Sequence, residues 1–291
     1  GLPFAVPAAG ARLVLPGKHL DGASLARLIA SEAVTLAVGV PTVWLGLLEY
    51  LEAANQQLPS LKRIVVGGSS MPPAMMARLE SRLGVVIQTS WGMTELSPLG
   101  TMSAITEPTR CATVSGRPDI GIDLMLSDAD GQPLEQQRGV EGHLHVRGAS
   151  VVKRYVGAAE DATDEAGWFN TGDLARIGDE GQVSITGRAK DLIKSGGEWI
   201  NPAEIEAIVN ALPDVCMSAV IAREDKKWGE RPILVVKPND SLSFDESSVR
   251  SALDGKVAPW WIPDEVIHVD HMPLAATGKI DKARLKMIFT K

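Results

Sequence analysis

The stretch Gln88-Thr89-Ser90-Trp91-Gly92-Met93-Thr94-Glu95 lies where a strand should end. It follows an apolar run, Gly84-Val85-Val86-Ile87, that is typical of a buried strand. In open α/β sheets, ligands bind beyond the carboxyl ends of the strands. An aromatic ring can stack on a base, a glycine admits close approach, a threonine hydroxyl can bond a phosphate oxygen, and a glutamate can hold Mg²⁺. Taken alone, the stretch fits such a site and an ordinary loop equally well.

Helical and extended patterns alternate before this stretch. The predicted elements are strands at 36–40, 61–66 and 85–90 and helices at 24–33, 41–51 and 73–83. This alternation predicts a parallel, right-handed sheet that is covered by helices. Loops 67–71 and 91–95 should therefore leave neighbouring strands at the same edge, where a nucleotide would lie.

The segment Gly67-Gly68-Ser69 follows the second predicted strand. Two adjacent glycines are compatible with a base packed flat on bare backbone. A tight strand-to-helix turn is the alternative that the local residues favour. Gly68-Ser69-Ser70 lacks the Gly-x-Ser-x-Gly form of a hydrolase nucleophile, which argues against a serine hydrolase.

Composition limits the class of protein. The 291 residues leave room for two or three domains, and no apolar run reaches the length of a membrane span. Cys111 and Cys216 lie far apart and form no metal-binding spacing or disulfide framework, which predicts a cytoplasmic protein. The net charge of −7 argues against a nucleic-acid surface, although an anionic nucleotide needs only local cations.

Short β runs separated by turns characterise residues 113–187. The turns are Asp128-Ala129-Asp130-Gly131, Gly139-Val140-Glu141-Gly142 and Gly178-Asp179-Glu180-Gly181. Such spacing predicts a small antiparallel barrel or a curled sheet. His143-Leu144-His145 alternates along one of these strands without a third ligand nearby, so we expect no metal site there.

Four further motifs follow in a fixed order. They are Thr171-Gly172-Asp173, Gly187-Arg188-Ala189-Lys190-Asp191, Lys194-Ser195-Gly196-Gly197-Glu198 and Pro273-Leu274-Ala275-Ala276-Thr277-Gly278-Lys279-Ile280. Together with the stretch 88–95, they resemble the adenylate-forming superfamily of acyl-CoA synthetases, peptide-synthetase adenylation domains and beetle luciferases. The residues of these motifs and their order are most similar to those of fatty-acyl-CoA synthetases. The resemblance covers nearly the whole chain.

The resemblance implies an α/β architecture in three parts. Residues 1–112 would form a helix-covered, mainly parallel sheet of the large domain, and residues 113–187 a small β-barrel-like subdomain. Residues 188–291 would form a small, mobile α/β domain joined by a hinge at Lys190. The chain opens at Gly1-Leu2-Pro3-Phe4 without a methionine, so we expect a fragment that lacks the N-terminal part of the same enzyme.

The resemblance also implies a site for ATP and AMP. The residues matching the nucleotide-binding segments are Gly67, Gly68, Ser69, Trp91, Gly92 and Met93. Thr94 would bond the α-phosphate and Glu95 would hold Mg²⁺. Asp173 and Arg188 would fix the ribose, and Lys279 would reach the acid carboxylate and the α-phosphate during adenylation.

Coenzyme A and the acid have their own expected sites. Rotation about Lys190 would bring the Gly196-Gly197 turn to line the path of coenzyme A. The loop 225–232 could face its phosphates, although a solvated charged loop is the favoured alternative. The acid pocket candidates are Trp44, Met93, Ser97 and Leu99, and for Trp44 an ordinary core position is favoured.

The implied reaction is ATP-dependent activation of a medium- to long-chain fatty acid to acyl-AMP, followed by thioester formation with coenzyme A. Its partners would be small molecules, without nucleic acid or a transmembrane segment; peripheral membrane contact stays open, as does the oligomeric state. Three alternatives also remain: adenylation of an aryl or amino acid, a luciferase-like oxygenase, and a non-catalytic adenylate-binding module. The resemblance implies a Ser/Thr/Gly-rich phosphate loop that would precede residue 1, so we expect residues 1–291 alone to be weakly active or inactive.

Overall fold

A computed structural model describes residues 1–106, 110–239, 244–275 and 278–290. The chain forms two compact units. The first comprises Gly1–Thr171 and Ala175–Ile185, and the second comprises Gly172–Leu174 and Thr186–Lys291. None of the helices in the described ranges combines the length and the apolar character that a membrane span requires. The division into three domains at residues 112 and 187 stays a prediction.

Within its described residues, the first unit contains a five-stranded sheet and four helices. The helices are α1 (Leu2–Ala8), α2 (Gly22–Ser31), α3 (Pro41–Ala53) and α4 (Pro73–Leu83). The strands are β1 (Leu36–Gly39), β2 (Arg63–Val66), β3 (Val86–Gly92), β4 (Leu99–Met102) and β5 (Arg117–Pro118). They are ordered β1-β2-β3-β4-β5, with β1 to β3 parallel and the β3–β4 and β4–β5 pairs antiparallel. The predicted parallel sheet is confirmed, and β4 and β5 extend it beyond the prediction.

Local sequence explains how the helices of this sheet begin and which face they bury. The Asp21 carboxylate accepts the Ser24 N–H at 2.9 Å and caps α2, and Pro41 opens the first turn of α3. Burying a leucine side chain contributes roughly 1.5–3 kcal/mol. Three leucines of α3 are fully buried in the core that α3 shares with β2 and β3: Leu47, Leu48 and Leu51.

A second sheet of four strands follows. Its strands are β6 (Ile122–Ser127), β7 (Glu141–Gly148), β8 (Phe169–Ile177) and β9 (Val183–Arg188), in that order, and β6 pairs antiparallel with β7. Among the described residues these strands form an open sheet, and no closed barrel is present. The small β subdomain is thus present as a sheet, which was one of the two predicted forms.

The second unit contains the small α/β structure expected near the C terminus. Its helices are α5 (Pro202–Val209), α6 (Glu246–Leu253) and α7 (Lys282–Phe289). Its strands are β10 (Ile193–Ser195), β11 (Glu198–Ile200), β12 (Val215–Asp225), β13 (Gly229–Pro238) and β14 (Glu265–His268). The sheet order is β11-β10-β13-β12, and β14 pairs parallel with β13. Asn201 accepts the Ala203 N–H and caps α5, and Asp281 accepts the Arg284 N–H and caps α7.

Alternate residues of β12 belong to two different cores of this unit. Val220 packs with residues of α5 and α6, whereas Ala219 and Ile221 pack with Leu285 of α7. Successive side chains of a strand point to opposite faces of a sheet. Helices α5 and α7 therefore cover opposite faces of the sheet, and β12 lies at the end of its strand order.

Candidate functional site

The loop after β2 and the end of β3 lie at the same edge of the sheet. Strands β2 and β3 are parallel, with Val66 opposite Thr89, so the segments that follow the two strands leave the sheet at the same edge. The Ser90 hydroxyl donates to the Val66 carbonyl at 3.0 Å. A Cβ on Gly67 would lie 2.8 Å from the Ser90 Oγ, so this position has no room for a side chain. The predicted juxtaposition is confirmed, while Gly68 and Ser69 lie exposed beyond it.

Strand β3 continues through Gly92 rather than ending at Ser90, which corrects the predicted boundary. The Trp91 ring is only 8% exposed and belongs to a core with Leu96. A Cβ on Gly92 would lie 2.1 Å from the Pro98 carbonyl oxygen. A ligand was expected to approach the backbone closely at this glycine. In the structure, the Pro98 carbonyl of the same chain makes that close approach. Base binding by Trp91 and Gly92 stays a prediction.

Thr94 and Glu95 lie in a short 3₁₀ turn, Thr94–Leu96, directly after β3. Thr94 is exposed and Met93 is half-buried. The Tyr155 hydroxyl donates to the Glu95 carboxylate at 2.9 Å. This hydrogen bond to an anion raises the pKa of Tyr155 above its usual 10.0. Sequence reasoning missed Tyr155, because nothing in the irregular segment around it signals a contact with residue 95.

The described residues contain no group of three or more His, Cys, Asp or Glu side chains that could hold a metal ion. Glu95 is half-buried and offers a single carboxylate at the end of β3. Proteins commonly bind Mg²⁺ through one or two carboxylates, with substrate phosphates supplying further ligands. Glu95 therefore fits a magnesium ion that is bound together with a phosphate-bearing substrate.

In the second unit, three predicted site residues come together. Asp173 of β8 is 3% exposed, and the Arg188 Nε lies 3.0 Å from its Oδ1. Lys279 is close enough for both charges to act on its ammonium group. Burial, and then the positive charge of Arg188, lower the pKa of Lys279 below its usual 10.5, while Asp173 opposes this shift. The structure thus gathers a carboxylate, a guanidinium and a partly desolvated amine.

Backbone hydrogen bonds hold the Lys279 segment. The Ala275 N–H donates to the Lys279 carbonyl at 2.8 Å, and the Asp281 N–H donates to the Pro273 carbonyl at 2.9 Å. Leu274 and Ile280 form an isolated antiparallel bridge. Two residues of the predicted motif, at positions 276 and 277, lie outside the described residues. Lys279 is therefore held at the end of a closed loop, directly before α7.

The Gly196-Gly197 turn joins β10 to β11, as predicted. Ser195 pairs with Glu198, so the two glycines form a two-residue hairpin turn with φ values of +61° and +93°. Such turns require positive φ and favour glycine. The Gly196 N–H donates to the Trp228 carbonyl at 2.8 Å, and a Cβ on Gly196 would lie 2.8 Å from the Trp228 ring. The turn geometry therefore explains why both positions are glycine, and their role in binding coenzyme A stays a prediction.

The remaining predicted site residues lie in ordinary turn, core and strand positions. Lys190 is exposed in the 3₁₀ turn Ala189–Asp191, and its hinge role stays a prediction. Trp44 is 3% exposed within the core of the first sheet. Ser97 donates to the Ser150 carbonyl at 3.0 Å, and Leu99 is half-buried on β4. These positions supply no further cluster of ionisable groups.

Two protein-family models match the chain. Residues 2–156 match the family described as AMP-binding enzyme, and residues 204–279 match the AMP-binding enzyme C-terminal domain. This chain belongs to the AMP-binding enzyme family. The first match spans the predicted nucleotide edge, and the second ends at Lys279.

Two relatives and one solved structure illustrate the likeness of this AMP-binding enzyme chain. It is 42% identical to a medium-chain-fatty-acid–CoA ligase of Ectopseudomonas oleovorans, over 98% of this chain and 54% of that ligase. It is 40% identical to a 3-methylmercaptopropionyl-CoA ligase of Ruegeria lacuscaerulensis, over 98% of this chain and 55% of that one. ATP-bound MatB from Rhodopseudomonas palustris superposes with a TM-score of 0.80 at 29% identity, over 93% and 54% of the two chains. The chain spans about half the length of these proteins.

Proposed function

We propose that this chain supplies adenylate- and coenzyme A-binding parts of an ATP-dependent acid–CoA ligase. An acid carboxylate attacks the α-phosphorus of ATP, and pyrophosphate leaves as acyl-AMP forms. The thiolate of coenzyme A then attacks the acyl carbon, and AMP leaves as the thioester forms. Neither step needs a covalent bond to the protein, so its contribution is positioning and electrostatic stabilisation.

The observation that carries this proposal is the gathering of Asp173, Arg188 and Lys279. Burying ionised groups costs free energy, and clusters of perturbed charges are typical of functional sites. The Asp173 carboxylate accepts hydrogen bonds from ribose hydroxyls, a common role for carboxylates in nucleotide sites. Arg188 donates a second hydrogen bond to the ribose.

Lys279 serves the first step. Its ammonium group donates to the acid carboxylate and to an α-phosphate oxygen. A compact, mobile point charge stabilises the negative charge that accumulates as the phosphorus centre becomes crowded. The partial burial of Lys279 strengthens such an interaction, because charges interact more strongly where water is scarce.

Thr94 and Glu95 serve the phosphate side of the same step. The exposed Thr94 hydroxyl donates to the α-phosphate, and Glu95, whose carboxylate accepts the Tyr155 hydroxyl, would hold Mg²⁺. Mg²⁺ bound there supplies positive charge against the phosphates.

The second step uses a different part of the chain. Residues 188–291 rotate about Lys190, which withdraws Lys279 and brings the Gly196-Gly197 turn to the path of coenzyme A. Domain rotation that completes a site in alternate ways is an established type of transition. The open space above Gly197, where no atom lies within 4 Å of an added Cβ, suits a passing pantetheine chain.

The proposed acid is a medium- to long-chain fatty acid. The support is the 42% identity with the medium-chain-fatty-acid–CoA ligase. The Ruegeria relative is named for a different acid, 3-methylmercaptopropionate, so the test must span several acid classes.

The test measures acyl-AMP and acyl-CoA by mass spectrometry. The chain is assayed alone and joined to the N-terminal half that its relatives carry, with MgATP, coenzyme A and a ladder of fatty, aryl and amino acids. We expect acyl-AMP and acyl-CoA from the longer protein with fatty acids, and little or none from the chain alone. A Lys279→Met variant of the longer protein serves as the matched control.

Other outcomes would count against particular parts of the proposal. Product from aryl or amino acids only would replace the fatty acid as substrate. Equal product from the short chain would show that residues 1–291 hold a sufficient phosphate site. AMP binding without any product would indicate a non-catalytic adenylate-binding module.

A further inference from the structure

The carboxylate of Glu206 makes two contacts at the edge of the second-unit sheet. Its Oε1 accepts the Val220 N–H of β12 at 2.6 Å and lies 2.7 Å from the Lys282 Nζ. The Glu206 side chain is 17% exposed and the Lys282 side chain 24% exposed. This is a shielded ion pair rather than a solvated surface one, and removing one partner of such a pair is strongly destabilising.

The two charged residues belong to helices on opposite faces of the sheet. Glu206 lies on α5, whose apolar side packs with Val220, and Lys282 begins α7, whose Leu285 packs with Ala219 and Ile221. The ion pair therefore closes around the edge strand β12 and joins α5 to α7. We name Glu206, Lys282 and the Val220 N–H the edge clamp.

Lys282 lies three positions after Lys279. Ile280 bridges Leu274, and Asp281 donates its N–H to Pro273 and caps α7 through Arg284. Little backbone freedom remains between the clamp and the Lys279 segment. A displacement at the start of α7 is therefore transmitted to Lys279.

We propose that the edge clamp is a positioning device for Lys279, fixing the start of α7 so that the Lys279 ammonium meets the acid and the α-phosphate in the adenylation step. This inference rests on the proposed function for its effect on catalysis. That the clamp fixes the start of α7 follows from the contacts of Glu206 and Lys282 alone. Holding a reacting group in place accounts for large factors in rate, and a misplacement of about 1 Å can cost about 10²-fold.

The test compares Lys282→Met with Lys282→Arg. Methionine keeps an unbranched apolar stem and removes the charge, whereas arginine restores the charge. Arg223→Met is the matched control, because Arg223 forms a 2.6 Å ion pair with Glu265 that joins β12 to β14 and includes no residue of α5 or α7. Glu206→Gln tests the clamp from its other side, since glutamine can still accept the Val220 N–H.

The first measurement is hydrogen exchange on the chain itself, which needs no activity. We expect faster exchange of the Asp281 and Leu285 amides in Lys282→Met and Glu206→Gln, near wild-type exchange in Lys282→Arg, and no local change in Arg223→Met. Unchanged exchange at these amides in both clamp variants would overturn the clamp.

The second measurement separates the two half-reactions in the longer protein. We expect acyl-AMP formation to fall at least tenfold in Lys282→Met, with thioester formation from supplied acyl-AMP within about threefold of wild type and rescue by Lys282→Arg. Equal loss of both half-reactions would make the clamp merely structural and overturn its positioning role. If the wild-type protein forms no acyl-AMP, the proposed function fails, and with it the catalytic role, while the exchange measurement still decides the clamp.

Discussion

Replacing Lys279 with methionine tests the central feature of the proposed site. Lys279 is partly buried beside Arg188 and Asp173, and burial is the main reason that its pKa is lowered. A solvated surface lysine contributes about 0–1 kcal/mol, which is less than about fivefold in rate. Removing one preorganised donor from a developing charge costs about 2.7–4 kcal/mol, or about 10²–10³ in rate. The environment of Lys279 favours the second magnitude.

The assay measures each half-reaction separately in the protein that carries the relatives' N-terminal half. Adenylation is followed by acid-dependent exchange of pyrophosphate into ATP, and thioester formation is followed with supplied acyl-AMP and coenzyme A. We expect Lys279→Met to lose at least a hundredfold in exchange and to change thioester formation by less than about threefold. Lys279→Arg keeps the charge but has a different donor geometry, so only partial recovery is expected.

The pH dependence of the same assay supplies a second check. The lowered pKa of Lys279 means that its ammonium loses the proton at a lower pH than an ordinary lysine with a pKa of 10.5. Because the proposed role of Lys279 in adenylation requires the charged form, the exchange rate should fall as the pH rises through this lowered value. Loss of both half-reactions to the same extent in Lys279→Met would refute the assignment of Lys279 to the first step only.

Three further predictions concern residues of the first unit. Gly92→Ala should destabilise the protein by about 1–3 kcal/mol in thermal unfolding, because a Cβ would lie 2.1 Å from a carbonyl oxygen. Gly46 lies on α3 in open space, so the control variant Gly46→Ala should instead stabilise the protein by up to about 1 kcal/mol. Glu95→Gln should lower the pKa of Tyr155 towards 10.0 in an ultraviolet titration, and an unchanged titration would exclude their hydrogen bond. Burial lowers the pKa of His145 below 6.5, so the folded state favours the neutral ring. The free energy of unfolding should therefore fall as the pH drops below 6.5, and His145→Gln should flatten that dependence in unfolding measurements.

The periodic part of the sequence predicted most of the fold. Helices α2 to α4 and strands β1 to β3 lie close to the predicted ranges, because their apolar residues repeat with the period of the element they form. The four-residue strand β4, Leu99–Met102, contains a glycine and shows little alternation. Its antiparallel pairing with β3 depends on a long-range contact that no local period records.

The candidate site was predictable in part, from motifs rather than from periodicity. Motif resemblance supplied Asp173, Arg188 and Lys279, and the structure gathers them from distant positions. Tyr155 and the Glu206–Lys282 pair were not predicted, because ordinary charged or aromatic residues give no signal until folding makes them neighbours. Sequence reasoning therefore predicted the charged residues of the motifs and missed contacts that form only when the chain folds.

The two glycine pairs show why the charged residues carry more functional weight than the glycines. At Gly67 the missing side chain makes room for Ser90, and at Gly196 it makes room for Trp228. A ligand is not needed to explain either pair, so loss of activity in an alanine variant would not separate a binding role from damage to the fold. Asp173 and Lys279 differ from these glycines, because burying a charged group costs free energy, which for Asp173 the ion pair with Arg188 offsets in part. Such a cost is expected where the charges act on a substrate, so variants that change the charge at Asp173 and Lys279 while keeping the side-chain size are the direct test of the site.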